Sequence, residues 1–155
     1  MPFHRSNLAK ALVSAGLFAL VLIGLSAAPH VVTAQDEQPL TAEFDATIAQ
    51  DWMQLLYDQI WEQGVSAPAG SRLYAYAGVT LYEAVLGGMP GNNDLAGQLN
   101  DMPEMPEWDY AKVYDWPTVA NEALANVYNN SFFEFSDASA HEAVNALRDE
   151  WLEAR

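Results

Sequence analysis

From Phe44 onward, apolar residues return every three or four positions. Phe44, Ile48, Trp52, Leu55, Leu56 and Ile60 fall on one side of a helix, and Gly64 supplies its stop. The next run reads differently. Pro68 opens it where a missing N–H is harmless, Gly87-Gly88 closes it with Pro90 beyond, and between Arg72 and Gly87 the only charge is Glu83. Leu73, Tyr74, Tyr76, Val79, Leu81, Tyr82 and Val85 point in nearly every direction around that helix, which predicts burial on all sides at the centre of a bundle. Its tyrosines and its length rule out a membrane span. Residues 88–115, rich in proline and acid, predict a long excursion with one helical turn around Asp94 to Leu99. A third helix is predicted from Pro117, with Ala120, Leu124 and Val127 on one face, running towards Phe132 and Phe133. Ser139-Ala140-His141-Glu142 has capping-box spacing ahead of a fourth helix striped by Ala140, Val144, Leu147 and Trp151. No stretch has the alternation of a useful strand. The expected fold is all-α, a helical bundle over residues 43–155 behind a polar linker at 35–42. The fourth stripe is still in phase at Trp151 and Leu152, which predicts an incomplete N-terminal part of a larger bundle.

The first 34 residues follow another pattern. Arg5 and Lys10 are followed by an uncharged apolar run from Ala11 to Ala28, and Val32-Thr33-Ala34 places small residues where a signal peptidase reads. Residues 1–34 therefore read as a secretory signal peptide, with an uncleaved anchor as the alternative. The rest of the chain is expected to be periplasmic or secreted. The formal charge of −15 becomes −17 once that segment is removed, because it carries two basic residues and no acid. So acidic a surface lacks the basic footprint that nucleic acid or anionic lipid requires, so neither is expected as a partner after cleavage. With no cysteine there is no disulfide, no thiolate chemistry and no lipid attachment in the bacterial lipoprotein manner, and stability must come from packing.

The groups that usually do chemistry are scarce. His141 is the one histidine after residue 34 and stands in the first turn of a helix, where the dipole disfavours its charged form; it reads as a surface residue. No serine has a Gly-x-Ser-x-Gly context. Asp101, Glu104, Glu107 and Asp109 would suit calcium by donor type, but their spacing matches no EF-hand, and a solvated acidic loop is the plainer reading. Asn129-Asn130-Ser131 is formally a glycosylation sequon at a helix end. Trp52, Trp61, Tyr76, Tyr82 and Trp151 fit helical stripes and are expected in the core. Arg72, set among apolar residues, calls for a carboxylate partner, and Glu83 or Asp58 would supply an ion pair between helices.

One stretch is more specific. Pro68-Ala69-Gly70-Ser71-Arg72-Leu73-Tyr74-Ala75-Tyr76-Ala77-Gly78-Val79-Thr80-Leu81-Tyr82-Glu83-Ala84-Val85, with Gly91 to Leu99 and Trp116-Pro117-Thr118-Val119-Ala120-Asn121, resembles the N-terminal helical region of vanadium-dependent haloperoxidase-like proteins of the type 2 phosphatidic acid phosphatase superfamily. The resemblance spans about residues 50 to 152. It implies a helical bundle in which vanadate or phosphate is held by arginines, a lysine and histidines from motifs of the form Lys-x6-Arg-Pro, Pro-Ser-Gly-His and Ser-Arg-x5-His. None of these occurs here: Val119 stands where Lys112 would need an arginine, and Ala140 precedes His141 where glycine would be required. No catalytic, cofactor-binding or metal-binding residue is carried over, and vanadate is implied only for full-length relatives. The sequence thus predicts an exported helical scaffold that is inactive alone. Its expected partners are a missing C-terminal half or a second copy packed on exposed apolar helix faces. The alternatives are a stand-alone acidic module that binds a protein partner, or, more weakly, a calcium-dependent carboxylate site in the 101–109 loop.

Overall fold

The computed structural model describes residues 38–130 and 137–155. The signal-peptide segment, the start of the linker, Ser131, Phe132 and Phe133 lie outside the described residues. Four helices form an all-α bundle, α1 Thr47–Glu62, α2 Ala67–Val85, α3 Trp116–Asn129 and α4 Ala138–Glu153, with no strand among the described residues. No helix among them is long and apolar enough to cross a membrane.

The helix boundaries follow local chemistry. α1 opens three residues after Phe44, because Thr41–Glu43 first makes a single 3₁₀ turn and Asp45 then turns back to accept the Thr47 N–H at 2.9 Å. α2 begins one residue before Pro68 and runs into a second 3₁₀ turn, Leu86–Gly88. Asp115 caps α3 by accepting the Thr118 N–H at 3.1 Å. The cap of α4 is Asp137, whose carboxylate accepts the Ser139 N–H at 3.1 Å, so the capping box expected at Ser139 is displaced by an acid two residues earlier. The turn expected near Asp94 forms at Leu95, whose carbonyl accepts from both Gln98 and Leu99.

The centre of the bundle is α3, which packs against the three other helices. It buries Trp116, Pro117, Ala120, Asn121, Leu124, Ala125 and Tyr128. The expectation that α2 is buried on all sides is corrected here: Leu73, Ala77 and Val85 face inward, but Arg72, Tyr74, Ala75 and Gly78 are exposed. The outer face of α2 is built from alanine, glycine and tyrosine, which lose little by meeting water, whereas α3 brings large side chains together with an asparagine that finds its partners inside.

Those partners close the main core. The Trp52 indole N–H donates to Asn121 Oδ1 at 3.0 Å, and Asn121 Nδ2 donates to the Arg148 carbonyl at 2.8 Å. The Tyr128 hydroxyl donates to the Trp52 carbonyl at 3.1 Å, and the two rings meet edge to face at 5.1 Å. Around this thread pack Ile48 and Leu56 of α1, Leu73 and Ala77 of α2, Leu124 of α3, and Ala140 and Val144 of α4. Removing each large apolar side chain from water contributes about 1.5–3 kcal/mol. Polar groups that are satisfied inside fix which way the helices meet. Burial pushes the Tyr128 phenol well above its ordinary pKa.

A second, smaller core lies at the far end of α2, where Val85, Trp116 and Ala120 are buried with Phe44, Leu81, Met89, Trp108, Tyr114 and Val119 against them. The segment read as a linker is part of it. Gln38 exchanges two hydrogen bonds with the Tyr114 backbone, at 3.3 and 3.4 Å, Pro39 accepts from the Trp116 indole at 2.6 Å, and Thr41 Oγ1 donates to the Val85 carbonyl at 2.9 Å.

Candidate functional site

The long excursion between α2 and α3 is not a free loop. Trp108, Tyr114 and Trp116 form a cluster, with Trp108 edge-on to Trp116 at 5.3 Å and to Tyr114 at 5.2 Å, and Tyr114 stacked on Trp116 at 5.4 Å. That cluster pins residues 108–116 to the end of α2. Gly87 and Gly88 make the approach possible: a Cβ on Gly87 would lie 2.8 Å from both Trp108 and Trp116, and one on Gly88 would overlap the Trp116 indole and the Thr41 hydroxyl.

Held this way, residues 89–114 arch over the last two turns of α2 and enclose an open cleft of about 1340 Å³. Its apolar lining includes Val79, Met89, Met102, Met105 and Trp108, and its polar lining includes Glu83, Asp94, Glu107 and Tyr110. Among the described residues no lysine, arginine or histidine lines it. Glu83 is the unusual member. It is only 9% exposed, its Oε1 accepts the Leu95 N–H at 2.7 Å, and its Oε2 is buried with no hydrogen-bond partner among the described residues. A buried carboxylate oxygen without a donor is costly, so its position calls for a reason. Tyr82, one residue before, ties the same segment by donating to the Asn93 carbonyl at 2.7 Å.

The residues singled out by sequence are dispersed. Arg72 is exposed and makes no ion pair among the described residues; Glu83 turns to the loop, and Asp58 instead accepts from Gln54 at 3.0 Å. The expected interhelical pair is absent because the outward face of α2 leaves the guanidinium in water. His141 lies half-buried with Nδ1 2.9 Å from Asn129 Oδ1, while Asn129 Nδ2 donates to Asn145 at 3.0 Å. That amide of the sequon is thus engaged in bridging α3 to α4. In the 101–109 loop, Asp109 pairs with Lys112 at 3.1 Å, and this hydrogen bond, followed by the Ala111 N–H, holds its carboxyl below the ordinary carboxylate range. Among the described residues no three acidic or histidine side chains are placed to hold a metal. Trp61 departs from the core reading: it is 77% exposed. It lies two and a half helical turns beyond Trp52, and so emerges on the opposite side of α1.

Two features escaped the sequence reading. Glu83 carried a signal, being the only charge between Arg72 and Gly87, yet a single charge in an apolar helix does not say which neighbour will answer it. Trp108 carried one too, a large aromatic amid prolines and acids that reads more naturally as an anchor than as a solvated loop residue. Compared with models of protein families, with curated proteins and with solved structures, the chain finds no match.

Proposed function

We propose that the chain is an exported N-terminal helical scaffold of a haloperoxidase-like or acid-phosphatase-like protein, inactive by itself because the oxyanion-binding arginines and histidines lie in sequence outside it. The observation that carries this reading is a set of aromatic side chains left in water on α1 and α2. Tyr57 is 53% exposed and Trp61 77%. Tyr74, on α2, is also exposed, and its phenol pKa is raised by partial burial and by the nearby Tyr57 and Asp58; Trp61 lies one turn beyond Tyr57 along α1. A patch of this kind suits the packing of further helices. The resembled stretch 68–85 forms the helix that carries Tyr74. Among the described residues Arg72, Lys112, Arg148 and Arg155 do not form a convergent set for a trianion, since three of them are paired with acids.

The test reads the transcript and the intact mass of the protein recovered from the periplasm or medium. Arginine and histidine motifs in frame beyond Arg155, present in the recovered protein, would support the scaffold reading. Their absence would end it, as would vanadate-dependent bromination or phosphate-ester hydrolysis by this chain alone.

A second reading, a stand-alone module that binds a protein partner, is favoured by the main core, which four helices fill without help: Trp52, Leu56, Leu124 and Val144 are each fully buried. Light scattering and a thermal melt address it. A compact monomer with one sharp transition favours the module, and an aggregating chain without one counts against it.

A further inference from the structure

We propose that the cleft over the end of α2 is a binding site for a protonated alkylamine, with Glu83 as the residue that receives the ammonium group. The starting point is the unanswered oxygen: Glu83 is nine-tenths buried in the wall of the cleft, Oε1 is used by the Leu95 N–H, and Oε2 has no donor among the described residues. A hydrogen-bond donor bearing positive charge would satisfy that oxygen and offset the cost of burying it. The lining favours a cation, since Asp94 and Glu107 share the cleft and no basic side chain among the described residues does.

The kind of cation follows from which oxygen is left. A guanidinium reaches its full strength as a fork on both carboxylate oxygens, and one of the two is already committed to Leu95. An ammonium is a point charge and needs only one. The walls ask for an apolar stem behind it: Met89, Met102, Met105 and Trp108 line the cleft, and thioethers and aromatic faces accommodate alkyl chains and cations alike. The volume of about 1340 Å³ exceeds the ~300–1,000 Å³ usual for a compact ligand, which suits an elongated one. Oε2 is itself buried, so seating the ammonium requires the groups around it to move slightly.

The same group could arrive on a free polyamine or on a lysine side chain. Calorimetric titration of the full chain with n-hexylamine, n-hexanol, spermidine and a lysine-containing peptide separates the cases. Hexylamine is expected to bind and hexanol not, and spermidine against the peptide tells which source fits better. Glu83→Gln, which keeps an acceptor for Leu95, is expected to weaken hexylamine about tenfold. Glu142→Gln removes one charge from the exposed surface of α4 and is expected to leave binding unchanged. Equal binding of hexanol and hexylamine, or no binding of either, would overturn the proposal without any variant. So would equal losses in the two variants, which would mark mere attraction to an acidic surface. Because the scaffold reading rests on the aromatic surface at Tyr57, Trp61 and Tyr74, either proposal survives the failure of the other.

Discussion

The two ends of the bundle are closed by different means. Around Trp52 and Tyr128, apolar stripes from four helices meet, and the polar groups inside answer one another through Asn121 and the Arg148 carbonyl. Around Trp116, closure depends on an irregular segment: three aromatic rings, two glycines and the strand of backbone from Gln38 hold residues 108–116 in place, and Glu83 keeps an oxygen that nothing answers. The difference separates a region built for stability from one where stability is given up. A buried polar atom left without a partner lowers stability, and stability is commonly given up where a protein binds or reacts.

Substitutions should separate the two ends by size of effect. Trp52→Ala removes a fully buried ring together with the indole donor to Asn121, and is expected to lower stability by about 3–5 kcal/mol and abolish a cooperative melt. Gly88→Ala comes next. Its methyl group would have to displace the Trp116 indole, a rigid neighbour, at about 1–3 kcal/mol, with loss of near-ultraviolet circular dichroism from the aromatic cluster before the far-ultraviolet helix signal declines. If Gly88→Ala melts like the native chain, the loop end is not packed as described. Glu83→Gln should differ from both: it keeps the Leu95 acceptor and alters only an oxygen without a partner among the described residues, so the melting temperature is expected to change by an amount equivalent to at most about 1 kcal/mol. A clear loss on Glu83→Gln would mean that the carboxylate is structural.

How much of this was legible in the chain differs between the same two ends. The main core was readable because it is periodic. Ile48, Trp52 and Leu56 in α1 and Ala140 and Val144 in α4 declare their faces by spacing alone. The all-α bundle follows from those stripes. What spacing does not give is rank: α2 is the more uniformly apolar helix, but α3 is the central one, because burial depends on side-chain size and on satisfied polar groups such as Asn121 as well as on apolar count. The loop end was not legible, since its contacts join residues far apart in the chain, Gln38 with Tyr114, Thr41 with Val85, and Glu83 with Leu95, and no period announces such pairs. Gly87-Gly88 reads in sequence as a helix stop, which it is, and its second role, admitting Trp108 and Trp116, depends on rings some twenty or more residues away. The candidate site inherits that illegibility.

The smallest expected effect concerns the cap of α3, at Asp115. Its carboxylate caps α3 through Thr118 and receives both Nε and Nη2 of Arg155, whose guanidinium also lies 5.5 Å from the Phe44 ring centre. The Arg155 hydrogen bond, reinforced by Thr118, holds the Asp115 carboxyl below its ordinary value, against a smaller opposing push from burial. A carboxylate depressed in the folded state contributes stability that is fully present above its unfolded pKa, about 3.9, and is lost as pH falls through the lower folded value. Both side chains are about a third or more exposed, so solvent screening limits the pair to about 0.5 kcal/mol at neutral pH. Acidification below about pH 4 should therefore loosen the start of α3 before it disturbs the main core. Amide exchange at Thr118 should accelerate while the Trp52 indole N–H stays protected. Arg155→Ala should raise the pH at which Thr118 begins to exchange, because the Asp115 carboxyl then titrates nearer its ordinary value. If Thr118 and Trp52 lose protection together, the bundle opens as one unit under acid, and the two ends are not separable in stability.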